Sequence, residues 1–403
     1  MPIFLTLALA ILVMVVLLRR RFPIGPAILA AGLFIWLCED RTLDSLLEAA
    51  RTTVTSPRSW DLLGALYFVI CLEIELRKSK TLAGMVGYVL KIIPSKKVAM
   101  AAMPAFLGLL PSIGGARFSA PIVAEIAQGE DIGKNRLAGI NFWFRHIFEF
   151  ASPIIPGMIL ACAIVQVSVA DLIVHLLWAS VLSFALGWTF LMTGFKTHRS
   201  AGSHAQKEGT LADFCLATVP VACVFALMVV AKTGAAVSMG LVVLAMVPVL
   251  KFAGRGVPVR EIFLGACEKR LFRDVGCILL FIGLLHSTGV LADTVAALEQ
   301  SALPTPAVIA AIAFVVGMLT GMSQGHVAIV MPMVAAISPG NLDLAGLALV
   351  FGVGGQMLTP THVCLMVTID YFKSDFFKTL APCIMAEALL LGAFGLVSYL
   401  TWA

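Results

Sequence analysis

The chain consists of long apolar runs separated by short polar segments. Eight runs are each near the roughly 20 residues that an α-helix needs to cross about 30 Å of hydrocarbon. Two more runs are longer and are interrupted by prolines. The ten candidate crossings are residues 2–18, 23–38, 61–76, 137–170, 171–194, 211–230, 234–250, 275–291, 342–370 and 379–401. This pattern predicts an all-α polytopic membrane protein with a single membrane domain.

Two further apolar stretches, 98–128 and 304–340, are interrupted in the middle by the glycine-rich sequences "PSIGGARFSAP" and "TGMSQGHVAIVMP". Each arm has about 13 to 15 apolar residues, or about 20 Å of helix. Arms of that length reach only part of the way through a bilayer. Both stretches are therefore predicted to be re-entrant hairpins.

The composition narrows the class of protein. Hydrophobic residues make up 60% of the chain, charged residues make up 13%, and the mean hydropathy is +1.00. These values exclude a soluble globular chain and make the lipid bilayer the expected surroundings. The nine cysteines are scattered without a CxxC pair and are expected to pack as small hydrophobes. No metal site, cofactor or nucleic-acid partner is expected, apart from Na⁺ or H⁺ as a coupling ion.

The distribution of positive charge predicts the topology. If the arginines that follow the first crossing are cytoplasmic, the cytoplasmic segments hold 22 of the 28 basic residues. This bias follows the positive-inside rule and predicts both termini outside. The cytoplasmic segments are then 19–21, 77–97, 129–136, 195–212, 251–273 and the stretch around Lys373 and Lys378.

The two halves of the chain resemble each other. "LAGINFWFRHIFEFASP" from Leu137 aligns with "LAGLALVFGVGGQMLTP" from Leu344 at an offset of 207, and the two hairpin sequences align with a two-residue insertion. Each half has five crossings, so the second half is predicted to be inverted relative to the first. The predicted repeats are about 1–195 and 211–403, joined by a cytoplasmic linker at about 195–210. Inverted repeats with interrupted helices are typical of secondary transporters.

The predicted site lies where helices break. Pro153 and Pro156 each lack an N–H donor, so the first long run must unwind near 151–156, and its counterpart near 357–361. The half-helix that follows a break exposes its first N–H groups, which favour an anion. The predicted substrate-binding residues are Ser112, Gly114, Gly115, Arg117, Asn141, Arg145, Ser152, Pro153, Ser323, Gln324, Gln356, Thr359, Pro360 and Thr361. The predicted proton- or ion-coupling residues are His146, Glu149, His326 and His362.

Several of these residues have a purely structural alternative. Arg145 and Glu149 are four apart, so they would share one helical face and form an ion pair that stabilises the half-helix. Arg117 offers a planar fork for a carboxylate, or else anchors its hairpin to a carbonyl or a lipid headgroup. Either histidine of the second half, His326 or His362, can carry a proton near neutral pH or be paired and inert.

The segments "NFWFRHIFEFASPIIPG", "GLLPSIGGARFSAP" and "GGQMLTPTHVCLMVTIDYF" together resemble a prokaryotic membrane family called domain of unknown function 401. The resemblance covers most of the chain. That family is grouped with the ion transporter superfamily, which includes the TRAP large subunit and carriers of gluconate, citrate and C4-dicarboxylates. The resemblance implies inverted repeats, a dimeric scaffold and an elevator-like motion in a prokaryotic inner membrane. Sodium-coupled members carry Ser-Asn-Thr motifs at the hairpin tips, and this chain has none there.

These observations predict a secondary active transporter of a small organic anion, with a carboxylate as the expected class, coupled to a proton or sodium gradient. The alternative is a cation/proton antiporter. A passive channel and an intramembrane enzyme are disfavoured. The chain has no HExxH and no P-loop. A channel has no need of inverted broken helices.

Overall fold

A computed structural model describes residues 3–20, 22–109, 116–197, 209–299 and 303–402, and within these ranges the chain is all-α without a β-strand. The first ten helices are α1 (Ile3–Arg19), α2 (Ile24–Glu39), α3 (Leu43–Thr55), α4 (Pro57–Lys78), α5 (Thr81–Ile92), α6 (Lys96–Gly108), α7 (Ala116–Ile126), α8 (Lys134–His146), α9 (Pro156–Val165) and α10 (Val169–Gly187), which continues as a π-helical turn (Trp188–Met192). The other ten are α11 (Leu211–Val230), α12 (Ala235–Phe252), α13 (Val259–Gly265), α14 (Lys269–Ser287), α15 (Val290–Glu299), α16 (Thr305–Thr320), α17 (Ser323–Ile337), α18 (Leu342–Met357), α19 (Val363–Phe372) and α20 (Phe376–Trp402).

The predicted membrane helices are confirmed as helices, and the two interrupted runs are each two helices, α8 with α9 and α18 with α19. Among the described residues, four helical segments are by themselves long and apolar enough to cross a membrane: 169–192, 211–230, 235–252 and 376–401. The helices α3, α5, α13 and α15 were not predicted, because they lie in the shorter or more polar segments between the apolar runs.

Each predicted hairpin is a pair of helices packed against each other, α6 with α7 and α16 with α17. The turn of the first hairpin, residues 110–115, lies outside the described residues. The second hairpin turns at Gly321, whose φ of 65° is in the left-handed region that favours glycine, and at the extended Met322. Two residues are enough to reverse the chain, so α17 begins at Ser323.

Glycines allow the hairpins to approach the broken helices at backbone distance. A Cβ on Gly317 of α16 would lie 2.0 Å from the carbonyl oxygen of Gly352 in α18. A Cβ on Gly108 of α6 would lie 1.9 Å from the carbonyl oxygen of Arg145 in α8. Small residues at such crossings are how membrane helices gain van der Waals contact without a hydrophobic driving force.

The basic segments meet at one end of the helix bundle. Lys78, at the end of α4, contacts Glu261 of α13. The Lys96 ammonium at the start of α6 lies 2.8 Å from the Glu130 carboxylate that precedes α8. The segment 77–97 therefore contacts two other segments that were predicted to be cytoplasmic, 129–136 and 251–273.

A capped and paired aspartate stabilises this end of the bundle. Asp213 forms a capping box at the start of α11, accepting hydrogen bonds from Thr210 N at 2.8 Å and Thr210 Oγ1 at 2.6 Å. The same buried carboxylate contacts the Arg255 guanidinium, which follows α12. Asp213 thus connects two helices of the second half and satisfies backbone donors that would otherwise be unpaired.

We expect Asp213→Ala to lower the free energy of unfolding by about 2–4 kcal/mol, because it removes a helix cap and leaves Arg255 unpaired. The loss is measured as a lower apparent melting temperature in gel filtration after heating. Asp370→Ala is the matched control: its partner Lys373 and Asp370 itself are 76% and 82% exposed, so no measurable change in melting temperature is expected. Equal melting of the two variants would contradict the role given to Asp213.

Candidate functional site

The first broken helix opens between α8 and α9. Helix α8 ends at His146, and residues 147–155 form turns before α9 begins at Pro156. The break begins a turn earlier than predicted from the prolines, because the chain tightens into i→i+3 hydrogen bonds such as Glu149 N to His146 O at 3.0 Å. The prediction that Arg145 and Glu149 share a helical face is therefore wrong, since Glu149 lies in the non-helical segment.

Ser152 and Pro153 lie in this break. The Ser152 hydroxyl donates to the Leu109 carbonyl at 3.3 Å, at the end of the first hairpin arm, and accepts from Ile154 N at 3.5 Å. Pro153 lines an apolar cavity of about 410 Å³ that also borders Leu109 and Phe225. The break is thus hydrogen-bonded to the first hairpin on one side and faces an apolar cavity on the other.

The second broken helix opens between α18 and α19, at residues 358–362, as predicted. The hydroxyls of Thr359 and Thr361 lie 3.0 Å apart, and the Thr361 hydroxyl donates to the Met318 carbonyl of the second hairpin at 3.4 Å. Pro360 is exposed, while Gln356 is buried. The Gln356 side-chain oxygen has no hydrogen-bond partner within the described ranges.

The two breaks meet at a pair of histidines. His146, the last residue of α8, and His362, just before α19, face each other with their Nε2 atoms 3.1 Å apart. The His146 Nδ1 lies 2.7 Å from the Phe142 carbonyl, and the His362 Nδ1 lies 3.1 Å from the Gln356 carbonyl. The Phe142 ring packs edge-on against His362 and tilted against His146. Two residues 216 positions apart in sequence are thereby brought into direct contact.

Asn141 makes a second connection between the broken helices. Its amide nitrogen donates to the Thr368 hydroxyl at 3.0 Å, joining α8 to α19. Both residues are buried, and the Asn141 amide oxygen is without a partner in the described part of the chain. Helix α8 therefore packs on the second half of the opposite broken helix.

The tip of the second hairpin reaches the first break. Ser323, the first residue of α17, packs against Gly157 at the start of α9, where a Cβ would lie 2.5 Å from the Ser323 Cβ. The Glu149 carboxylate lies near the Ser323 hydroxyl and interacts with it. One carboxylate oxygen of Glu149 is buried and has no hydrogen-bond partner among the residues described. Gln324 is half-buried beside Ser323.

Arg145 lies between the first hairpin and the second broken helix. Its guanidinium donates to the Leu107 carbonyl of α6 at 3.3 Å and interacts with the Cys364 side chain of α19. It also interacts electrostatically with Glu149. The residue is 7% exposed, so a full positive charge is held at the junction of the breaks.

Some of the predicted residues are not brought into this junction. Among the residues that the structure describes, His326 has no hydrogen-bond partner for either ring nitrogen and packs flat against Gly352 of α18. It is buried between α17 and α18 and is not a member of the histidine pair. The first hairpin tip, with Ser112, Gly114 and Gly115, lies outside the described residues, as does the Arg117 side chain.

Cys364 is the residue of this junction that the sequence analysis missed. It was assigned to packing with the other cysteines, yet ligand atoms of Cys364, His146 and His362 all lie within 4.8 Å of one another. The local signal was the sequence "THVC" at the second break, which places a histidine and a cysteine two apart at the first exposed turn of a half-helix. Its partner His146 comes from the other half of the chain, so spacing alone did not reveal the group.

The fold is shared with a solved transport protein. The chain is similar to MtrF from Neisseria gonorrhoeae, described as illuminating a class of antimetabolite efflux pumps, with a TM-score of 0.58 and 14% sequence identity over 87% of this chain and 83% of MtrF. At that identity the likeness concerns the fold alone. No curated protein sequence matches this chain. A family model described as "Protein of unknown function (DUF401)" matches residues 4–401, and the chain belongs to that family.

Proposed function

We propose that this protein is a secondary active transporter of a small organic anion, with a carboxylate as the ligand class, driven by a proton or sodium gradient. The observation that carries the proposal is the convergence of two helix N-termini and a buried arginine where the two broken helices meet. Such ends, held at depth in a membrane protein, are the usual means of binding a charged substrate. The fold shared with an efflux pump supports the transporter class.

The two N-termini favour an anion. Helix α9 begins at Pro156 and α17 begins at Ser323, and they are in contact through Gly157. A helix N-terminus in general offers N–H groups that have no partner within the helix, together with a positive dipole end of about half a charge. Arg145 adds a full positive charge nearby, and a guanidinium binds a carboxylate through two parallel hydrogen bonds.

Glu149 supplies a means of coupling. In the structure, its carboxylate lies near Ser323 at one of these N-termini. An incoming carboxylate competes with Glu149 for the same donors. If Glu149 takes up a proton when it is displaced, the bound substrate enters without adding net charge to the buried site. Transport of the anion is then coupled to transport of a proton.

Reciprocal contacts support two inverted repeats, residues 1–195 and 211–403. Helix α17 of the second hairpin packs on α9 of the first broken helix, and α7 of the first hairpin packs on α19 of the second. The close approach of Gly108 to Arg145 has its counterpart in that of Gly317 to Gly352. Residues 145 and 352 are 207 apart, the offset found in the sequence.

In this proposal the hairpins and broken helices form a substrate-binding unit that moves in an elevator-like manner against the other helices. Those other helices pair with a second copy of the chain in a homodimer. The protein lies in a prokaryotic inner membrane with the linker of about 195–210 in the cytoplasm and both termini outside. The chain has no enzymatic activity and needs no cofactor for transport.

A cation/proton antiporter is the second candidate function, and the cluster of His146, His362 and Cys364 favours it. Neutral imidazoles and a thiolate bind cations, not anions. The two functions differ in one measurement. Addition of a cation alone to protein-containing vesicles releases protons from an antiporter, whereas the anion transporter needs an organic acid for any proton movement.

The test uses purified protein in sealed liposomes with an internal pH-sensitive dye. Organic acids are added one at a time, with and without sodium and with an imposed pH gradient. We expect at least one carboxylate to cause saturable proton movement that empty liposomes lack. Proton movement with cations and with no organic acid in the screen would overturn the anion proposal, and unsaturable uptake without any gradient would indicate a channel.

We expect Arg117→Ala to abolish carboxylate transport while leaving the protein folded in the membrane. The sequence places Arg117 at the first hairpin tip. Inserting an arginine at membrane depth costs about 2.5–3.5 kcal/mol, and arginines that are kept there usually bind a substrate or a partner group. Uptake into liposomes is the measurement. Arg51→Ala, at an exposed position of α3, is the control. Normal uptake by Arg117→Ala would exclude Arg117 from the substrate site.

A further inference from the structure

The facing histidines are held in one protonation form by backbone carbonyls. The Nδ1 atoms of His146 and His362 lie 2.7 and 3.1 Å from the carbonyl oxygens of Phe142 and Gln356. A carbonyl oxygen only accepts hydrogen bonds, so each Nδ1 carries the ring proton. Each neutral imidazole therefore presents a bare Nε2 lone pair, and the two Nε2 atoms are 3.1 Å apart. Two lone pairs at that distance repel each other unless a Lewis acid lies between them.

A third donor faces the same point. The Cys364 sulfur and one ring nitrogen of each histidine lie within 4.8 Å of one another. Cys364 is the second residue of α19, where the helix dipole favours a negative sulfur. The Arg145 guanidinium interacts with that side chain as well. A proton shared by the two nitrogens would not involve the sulfur, whereas a metal ion can bind all three atoms.

We propose that His146, His362 and Cys364 form a binding site for one transition-metal ion of borderline or soft character, Zn²⁺ or Cu⁺. Imidazole nitrogen and thiolate are the ligands that these ions prefer. The site joins the first broken helix to the second, so a bound ion links the two halves of the chain. The proposal rests on the geometry of the donors and is independent of the transported substrate.

The geometry fits such an ion. Two nitrogens bound to one zinc ion at about 2.0–2.1 Å lie about 3.3 Å apart in a tetrahedral site. The two Nε2 atoms are at 3.1 Å, so they need almost no movement. Metal-bound histidines usually donate their other ring N–H to a carbonyl or carboxylate, and both histidines here do so to a carbonyl. The Cys364 sulfur is the ligand that must move closer to complete the site.

Charged groups around the site offset most of the charge of a bound ion. Binding converts the Cys364 thiol to a thiolate and releases its proton to solvent, so affinity falls as pH falls. Arg145 places a positive charge beside the site, and Glu149 is near enough to interact electrostatically with both Arg145 and Cys364. The Glu149 carboxylate offsets the arginine, so the thiolate neutralises Cu⁺ fully and leaves one positive charge when Zn²⁺ is bound.

The experiment is an equilibrium titration of the purified full-length protein after treatment with a chelator. Zn²⁺ is titrated against a competing chromophoric chelator, and Cu⁺ is titrated in the same way under reducing conditions. We expect one tightly bound ion per chain. His362→Gln and Cys364→Ser should each weaken binding by at least about 100-fold, because loss of a ligand exceeds the 10–100-fold effect of a supporting residue.

Controls separate this site from other donors in the chain. His286→Gln and Cys267→Ser, both at exposed positions, should bind the ion as the unmodified protein does. Cobalt(II) supplies a readout that does not depend on affinity, since a thiolate ligand gives a charge-transfer absorption that Cys364→Ser must abolish. Gel filtration confirms that each variant is folded.

Two outcomes would overturn the proposal. In the first, the unmodified protein binds both ions no more tightly than the double variant His146→Gln, His362→Gln does. That result would indicate that only a proton bridges the two histidines. The other is a cobalt charge-transfer band that persists in Cys364→Ser. Neither outcome bears on carboxylate transport, so failure of the metal site and failure of the proposed function are distinguishable.

Discussion

Glu149→Gln is expected to reduce gradient-driven carboxylate uptake to the level of empty liposomes. The substitution preserves the size of the side chain and its ability to contact Ser323, but it removes the charge and the proton that we assign to coupling. Glutamine mimics the protonated glutamate, so the variant should still bind substrate and exchange it. Counterflow, in which labelled substrate exchanges for unlabelled substrate without a gradient, should therefore persist while net uptake is lost.

This split between exchange and net transport separates coupling from damage to the site. A variant that had merely lost its fold or its substrate site would lose both activities. Glu261→Gln, at an exposed residue that contacts Lys78, is the matched control and should retain both. Net uptake at the unmodified rate in Glu149→Gln would remove Glu149 from the coupling mechanism.

Gly317→Ala is expected to prevent the second hairpin from packing on the second broken helix. The added Cβ would lie 2.0 Å from the Gly352 carbonyl oxygen and 3.1 Å from Gln356 N, both of which are backbone atoms. A side chain can change rotamer to avoid a clash, but the backbone of a packed helix must move as a unit. The loss in free energy of unfolding is therefore about 3 kcal/mol or more, the upper end of the range typical of overpacking. We expect most of the protein to aggregate in gel filtration, with a lower melting temperature for the remainder.

The sequence contains matched glycines for this test. Gly108→Ala should be as damaging, since its Cβ would meet the Arg145 carbonyl oxygen at 1.9 Å. Gly392→Ala in α20 meets nothing within 4 Å and should be neutral or stabilising by up to about 1 kcal/mol, because alanine is the better helix former. If Gly317→Ala had the same melting temperature as Gly392→Ala, close backbone packing would not be what holds the hairpin in place.

The broken helices and hairpins could be predicted from the sequence because their signals are local. A proline at membrane depth must interrupt a hydrogen-bonded ladder, whatever surrounds it. The glycine and threonine clusters near residues 321 and 359 mark turns in the same way. The exact start of the first break could not be predicted. Helix α8 ends at His146, seven residues before Pro153, because the chain forms turn hydrogen bonds there, and the positions of the prolines do not predict those bonds.

The membership of the site depended on contacts that the sequence does not encode locally. His326 and His362 looked equivalent, since both follow glycine-rich or threonine-rich breaks in the second half. The packing of α17 on α18 leaves His326 against Gly352, while the packing of α8 on α19 brings His362 to His146. Cys364 belongs to the group for the same reason. The roles of Arg117 and of the first hairpin tip stay predictions.

By itself, the sequence determined that this chain is a polytopic helical membrane protein with two interrupted helices and two hairpins. Hydrophobic run length and the backbone's need for hydrogen bonds act within one segment, so one segment is enough to reveal them. Only the tertiary structure decided which charged and ligating side chains meet. The pairing of His146 with His362 depends on how helices some 200 residues apart pack, and that packing follows from glycine contacts and complementary surfaces spread over the whole chain.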